Sequence, residues 1–212
     1  PYTKVKMAIS FDEKIAWSNY KSKWISNIKS RSYGHKIRAR SQAILTTSKT
    51  IIKDNPRFTI RDKGKIIKHL PVIIIDKNLK IPFNTNILKN IHEKRIIIFT
   101  SLNNNKLTKL KQMGCEIIIM KKNKKGMLSL KNIFSKIYKL KFSDLLVEAG
   151  GVFFTNLIKS NLVNELHIFK SNFIIGPKGK PLILKNNLDN LKKKLIEKKK
   201  FNDNYYYKYH IK

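Results

Sequence analysis

The sequence predicts an α/β protein with a mostly parallel central sheet, helices on both faces and an antiparallel C-terminal edge. Three observations carry this. PVIII at 71–75, RIIIF at 95–99 and EIIIM at 116–120 are short apolar runs, as in strands buried on both faces. Helical spacing falls after them, at 106–113 and, through Leu130, Ile133, Ile137 and Leu140, at 128–140. The closing run NYYYKYHIK is rich in β-formers and suits an antiparallel edge strand.

Each element follows from its own residues. Residues 4–10 alternate, with Val5, Met7 and Ile9 on one face and Lys6, Ala8 and Ser10 on the other, which is a strand pattern. Lys6 either snorkels to solvent at a sheet edge or stands in a cleft with room for a ligand. Residues 11–26 read as a loop holding Asp12, Trp17, Ser22 and Trp24, its aromatics either plugs or a platform for a flat ring. Ser26 is placed to cap a helix over 28–40, with His35, Arg38 and Arg40 toward the end where cations suit the helix dipole. A strand at 43–46, a helical turn at 50–52 and the breaker Asp54-Asn55-Pro56 follow. Phe58-Thr59-Ile60 leads to Arg61, and 62–69 reads as a mobile polar connector.

The stretch 143–169 organises the rest. Leu145-Leu146-Val147 is another buried strand, ended by Glu148. Gly150-Gly151 turn into a helix carrying Phe153, Phe154, Leu157 and Ile158, and Leu166 and Ile168 resume an extended run. A glycine pair at a helix N-terminus suits an anion, because free N–H groups and the dipole favour negative charge there. An ordinary capped turn fits the same residues. In parallel sheets ligands bind beyond the carboxyl ends of the strands. Residues 46–54, Asp76-Lys77, Thr100-Ser101 and 148–151 collect there. No repeat or linker divides the chain, so 1–212 reads as one domain.

Charge narrows the function. Lys+Arg number 46 against 13 Asp+Glu, a formal net charge of +33. Only six of the 46 are arginine (31, 38, 40, 57, 61 and 95), and the lysines are scattered among abundant Ile and Asn. Nucleic-acid readers favour Arg forks and interleaved aromatics. A nucleic-acid partner is therefore disfavoured, while small anions such as phosphates are attracted. The single cysteine, Cys115, excludes an internal disulfide and any CxxC site, and no metal is expected. No run of 18 apolar residues occurs, so no membrane partner is indicated. The expected class is a cytoplasmic enzyme.

Five motifs in register then carry a resemblance. They are Lys6-Met7-Ala8-Ile9-Ser10-Phe11-Asp12 with Ser22-Lys23-Trp24-Ile25-Ser26; Arg38-Ala39-Arg40-Ser41-Gln42-Ala43-Ile44; Thr50 with Asp54-Asn55-Pro56 and Thr59-Ile60-Arg61; Val147-Glu148-Ala149-Gly150-Gly151; and Leu162-Val163-Asn164-Glu165-Leu166. In order and spacing they resemble the bacterial riboflavin-biosynthesis reductase domain of RibD C-terminal type, over nearly the whole chain. Glu13 stands where that family usually has Gly, and Asn164 where it has Asp.

The resemblance implies a dihydrofolate-reductase-like fold and the activity of a 5-amino-6-(5-phosphoribosylamino)uracil reductase, in which NADPH reduces the ribosyl group to a ribitylamino product. It implies that Ser22, Arg38, Phe58 (through its main chain), Arg61 and Glu148 bind substrate. It assigns the cofactor to Ala8, Trp24, Thr50, Asp54 and the run Gly150, Gly151, Val152, Phe153, Phe154, Thr155 and Asn156. Lys77, where relatives often carry a small hydroxyl residue, is placed to meet the 2′-phosphate. Lys6, Asp54 and Glu148 are the candidates for proton transfer, Lys6 and Asp54 alternatively forming a supporting ion pair. Relatives are dimeric, which implies a homodimer. The zinc deaminase often fused to this domain needs an H-x-E…P-C-x-x-C site, which these residues lack, so a stand-alone reductase is expected. A related reductase acting on the diaminopyrimidinone before deamination is the near alternative, and a basic nucleic-acid-binding protein the distant one.

Overall fold

The computed structural model describes residues 1–19, 25–182 and 191–211. The strands are β1 (Tyr2–Ile9), β2 (Lys14–Ala16), β3 (Ala43–Thr47), β4 (Thr59–Asp62), β5 (Lys65–His69), β6 (Val72–Ile75), β7 (Ile96–Thr100), β8 (Glu116–Ile119), β9 (Asp144–Val147), β10 (Glu165–Lys170), β11 (Lys180–Pro181), β12 (Lys193–Phe201) and β13 (Asn204–Ile211). The helices are α1 (Ile28–Ala39), α2 (Ser48–Asp54), α3 (Asn86–Lys89), α4 (Asn105–Gln112), α5 (Leu130–Lys139) and α6 (Gly151–Lys159). Contacts gather these into two compact units: Ser41–Leu145 with Pro1, and Tyr2–Arg40 with Leu146–Lys212.

In the Ser41–Leu145 unit the strand order is β3-β6-β7-β8, all parallel, with Leu45 opposite Ile73, Ile73 opposite Ile97 and Ile98 opposite Ile117. The isoleucine runs dictate this. Ile73, Ile74, Ile97 and Ile98 are all fully buried although neighbours in a strand face opposite ways, so both faces of the sheet are covered. Each such side chain contributes about 1.5–3 kcal/mol by leaving water. Ile44, Ile51, Phe58, Ile74, Leu88, Leu107 and Cys115 belong to the main core cluster. Burial pushes the Cys115 thiol up to about 12.

One expectation fails in this unit. Residues 62–69 are not a connector: β4 and β5 pair antiparallel around Lys63 and Gly64, which both take positive φ (45° and 84°). Two such residues in succession make a tight hairpin turn whose twist matches the strands it joins. The sequence signal was weak because the pair is Lys-Gly instead of Asn-Gly, and because Ile66 and Ile67 of β5 are exposed where alternation was expected.

In the second unit the order is β12-β13-β10-β1-β9. β1 and β10 are parallel, while β13 runs antiparallel to both β10 and β12, giving the expected antiparallel edge. Val5, Met7 and Ile9 are buried as their alternation requires. Ile37 of α1 packs with Leu146, Phe169 and Tyr206. Asn27, not Ser26, caps α1, its side chain accepting from the Ser30 amide at 2.9 Å. The loop expected over 11–26 contains β2, which pairs with β11. The strongly basic stretch after residue 191 is β12, with Leu195 and Ile196 about half exposed.

Candidate active site

In the second unit, β9 ends at Val147 and delivers Glu148 just before the turn into α6. Lys6 projects from the centre of β1 and Arg38 from the last turn of α1. The three meet. Arg38 donates from Nε to Glu148 Oε1 at 2.8 Å and from Nη2 to Oε2 at 3.0 Å, and Lys6 Nζ lies 3.3 Å from Oε2. The carboxylate and guanidinium are 12% and 14% exposed, and the Lys6 side chain 25%. Burial alone would raise the pKa of Glu148. The charges of Arg38 and Lys6 and their hydrogen bonds outweigh it, bringing the carboxyl from 4.5 to about 2. Glu148 is therefore an anion at any working pH, and Arg38 spends most of its fork on it.

A cavity of about 150 Å³ adjoins this trio, and Lys6, Ser26, Ser30, Arg31, His35 and Arg38 help to line it. Arg38 Nη1 points at His35 Nδ1 from 3.4 Å. The sequence reading gave Arg31 no role and placed His35 only toward the end of the helix. Their spacing was the available signal: 31, 35 and 38 fall at i, i+4 and i+7, one face of a helix.

The two glycines after the strand differ. α6 begins at Gly151, capped by Gly150 without any side-chain hydrogen bond. A Cβ on Gly150 would meet nothing within 4 Å, whereas one on Gly151 would strike the carbonyl oxygen of Leu182. Gly151 is thus required by packing, and Gly150 lies exposed beside a helix N-terminus that, among the described residues, no side chain caps. That opening fits an anionic group such as a pyrophosphate. Val152 and Asn156 are exposed, whereas Phe154 and Thr155 are buried, Thr155 donating to the Gly151 carbonyl at 2.8 Å. Ala8 is two positions on from Lys6 on the same face of β1.

The remaining candidates belong to the Ser41–Leu145 unit. Thr50 stands in the first turn of α2, its amide 3.4 Å from the capping Thr47 Oγ1. Asp54 ends α2, exposed, at the pole where a helix disfavours negative charge. Phe58 is buried yet holds φ at 50°, a strained conformation for an aromatic residue and a mark of sites where the main chain is made to serve. Arg61 Nε donates to Thr59 Oγ1 at 3.2 Å. Lys77 Nζ donates to the Gly126 carbonyl at 3.0 Å. Thr100 and Ser101, expected at the ligand rim, brace the backbone there, both hydroxyls donating to the Lys77 carbonyl. Asp76 likewise accepts from the amides of Lys80 and Ile81. Ser22 and Trp24 lie outside the described residues.

Comparison with known proteins places the chain in a family. The family model of the RibD C-terminal domain matches residues 1–207. The riboflavin biosynthesis protein RibD of Aquifex aeolicus is 33% identical over 177 residues, covering 83% of this chain and 48% of that protein. The 5-amino-6-(5-phosphoribosylamino)uracil reductase of Buchnera aphidicola subsp. Acyrthosiphon pisum is 31% identical over 180 residues, covering 78% of this chain and 83% of that one. Among solved structures, Acinetobacter baumannii RibD superposes with a TM-score of 0.86 at 18% identity, over all of this chain and 58% of that one. The dihydrofolate reductase of Enterococcus faecalis, solved with NADP(H), gives a TM-score of 0.51 at 12% identity over 99% and 96% of the two chains, which is a likeness of fold. The chain spans about half the length of the RibD relative it matches. By the match over residues 1–207, this chain belongs to the RibD C-terminal domain family.

Proposed function

We propose that residues 1–212 form a single reductase domain that reduces the ribosyl group of 5-amino-6-(5-phosphoribosylamino)uracil with NADPH, yielding the ribitylamino product of riboflavin biosynthesis. The observation that carries this reading is the Lys6–Glu148–Arg38 cluster at the carboxyl end of β9, directly before an open helix N-terminus. It sets sugar-directed charge beside a pyrophosphate seat.

NADPH supplies the hydride when bound. Gly150 and the start of α6 are the residues that fit its pyrophosphate. Family resemblance adds Ala8, Trp24, Thr50, Asp54 and Lys77 to its binding, and Ser22, Arg61 and the Phe58 main chain to the substrate. Glu148 accepts a hydrogen bond from a sugar hydroxyl and orients the ring. A carboxylate held near pH 2 is too weak a base to take a proton at neutral pH, so the proton work falls to Lys6 and Asp54. Lys6 carries its proton 3.3 Å from Glu148 and delivers it to the ring oxygen as the sugar opens. Arg38, already paired, counts as an orienting cation with a share in the phosphate.

A homodimer in the cytoplasm accompanies this reading. Among the described residues no helix is long and apolar enough to cross a membrane. The test is loss of NADPH absorbance with the aminouracil substrate and, separately, with its diaminopyrimidinone precursor. Oxidation with the first supports the proposal, and oxidation with the second alone moves the enzyme one step earlier. Oxidation with neither refutes it.

A further inference from the structure

Between α2 and β4 the main chain bends twice into the left-handed region. Asn55 takes φ of 41° and Phe58 φ of 50°, with Pro56 and Arg57 between them. Residues other than glycine avoid that region, so such bends persist only where neighbours impose them. Two neighbours do so here. Asn86, the first residue of α3, holds Asn55 by two bonds: its amide donates to Asn55 Oδ1 at 2.7 Å and its Nδ2 to the Asn55 carbonyl at 2.8 Å. Lys94, just before β7, donates from Nζ to the Arg57 carbonyl at 2.7 Å. Lys94 is 9% exposed, and lysine is seldom buried so deeply.

The Arg57 carbonyl and the Phe58 amide belong to one peptide group. That group is planar and trans, so its C=O and N–H point in opposite directions. Fixing the oxygen therefore fixes where the N–H is aimed. An ammonium on the oxygen also polarises the group and makes its N–H a stronger donor.

We propose that Lys94 and Asn86 are positioning residues for the substrate: they aim the Phe58 amide at an oxygen of the phosphoribosyl group. The proposal rests on the reading above that gives the Phe58 main chain a substrate contact. It adds two residues that lie outside the five motifs and that only the folded chain brings to this loop. Lys94 acts through the peptide it grips, not as a surface charge facing the ligand.

Calorimetric titration with ribose 5-phosphate, and with 5′-ADP as a probe of the cofactor seat, tests this without turnover. Lys94→Met keeps the apolar stem and removes the ammonium. It should weaken ribose 5-phosphate about tenfold and leave 5′-ADP unchanged. Asn86→Ala, which removes only the side-chain bond to the Asn55 carbonyl, should weaken ribose 5-phosphate about threefold, and it decides the matter if Lys94→Met does not fold. Circular dichroism confirms the fold of each. In NMR spectra of ¹⁵N-labelled protein, saturating ribose 5-phosphate should shift the Phe58 amide of the wild type and move it little in either variant. A merely structural role would weaken both probes alike without singling out that amide. Wild-type affinity for ribose 5-phosphate in both variants, or equal loss for both probes, overturns the proposal and leaves the substrate reading standing. A wild type that binds ribose 5-phosphate without moving the Phe58 amide overturns the contact on which the proposal rests. A wild type that binds no ribose 5-phosphate removes the substrate reading as well.

Discussion

A methyl group added at Gly151 would collide with the carbonyl oxygen of Leu182 and press on that of Pro181, whereas one added at Gly150 would meet open space. Gly151→Ala should therefore cost about 1–3 kcal/mol, since the obstacle is backbone and not a yielding side chain. Gly150→Ala should leave stability within about 0.5 kcal/mol while weakening dinucleotide binding. Chemical denaturation and calorimetry on the two variants separate the roles. At Glu148 the consequence is one of pH. Its folded pKa is depressed from 4.5 to about 2, and Asp12, held by Ser10 and the amides of Ile175 and Gly176 against the opposing pull of burial, falls from 3.8 to about 2. Depressed carboxyls give stability that is present above their unfolded values and lost as pH falls through the folded ones. Denaturation midpoints should thus decline steeply between about pH 4.5 and pH 2, and Glu148→Gln should flatten part of that decline. At neutral pH the same variant should lose of the order of 3 kcal/mol, because Lys6 and Arg38 remain without their shared counter-charge.

Among the elements, the β4–β5 hairpin carries an avoidable strain. Lys63 holds φ at 45°, where an L-residue with a long side chain pays about 1 kcal/mol and asparagine pays less. Lys63→Asn should stabilise the protein by roughly 0.5–1 kcal/mol in thermal unfolding. This hairpin also marks where the sequence stopped being legible. The parallel strands could be read because Val72–Ile75 and Ile96–Thr100 are saturated with apolar residues, a composition only a sheet covered on both faces tolerates. β5, with four of its five residues exposed, has no apolar face to announce it. α1 was legible by length, yet its cap was placed one residue early, since Ser26 and Asn27 both suit that role and only the Ser30 amide decides between them. Of the site, Glu148 was legible from the end of its strand and Lys6 from the alternation of β1. That Arg38 would spend its fork on Glu148 was not, because the pairing joins positions 110 residues apart.

For the whole molecule, a formal charge of +33 means that like charges crowd most of the surface. Such self-repulsion opposes the compact state and is screened by salt. The melting temperature should climb by several degrees between roughly 0.05 and 0.5 M sodium chloride, followed by differential scanning calorimetry.

Cys115 offers an experimental handle. It is the only thiol in the chain, 5% exposed in the core of the Ser41–Leu145 unit, and burial keeps it protonated. Alkylating reagents attack the thiolate, so the folded protein should resist them and each labelled molecule should record one opening of that unit. A mass tag at this sulfur is thus a clock for half of the molecule. Run on Gly151→Ala, whose damage is confined to the other half, it shows whether the two units open together: labelling at the wild-type rate means independent opening, and faster labelling means that one melts with the other.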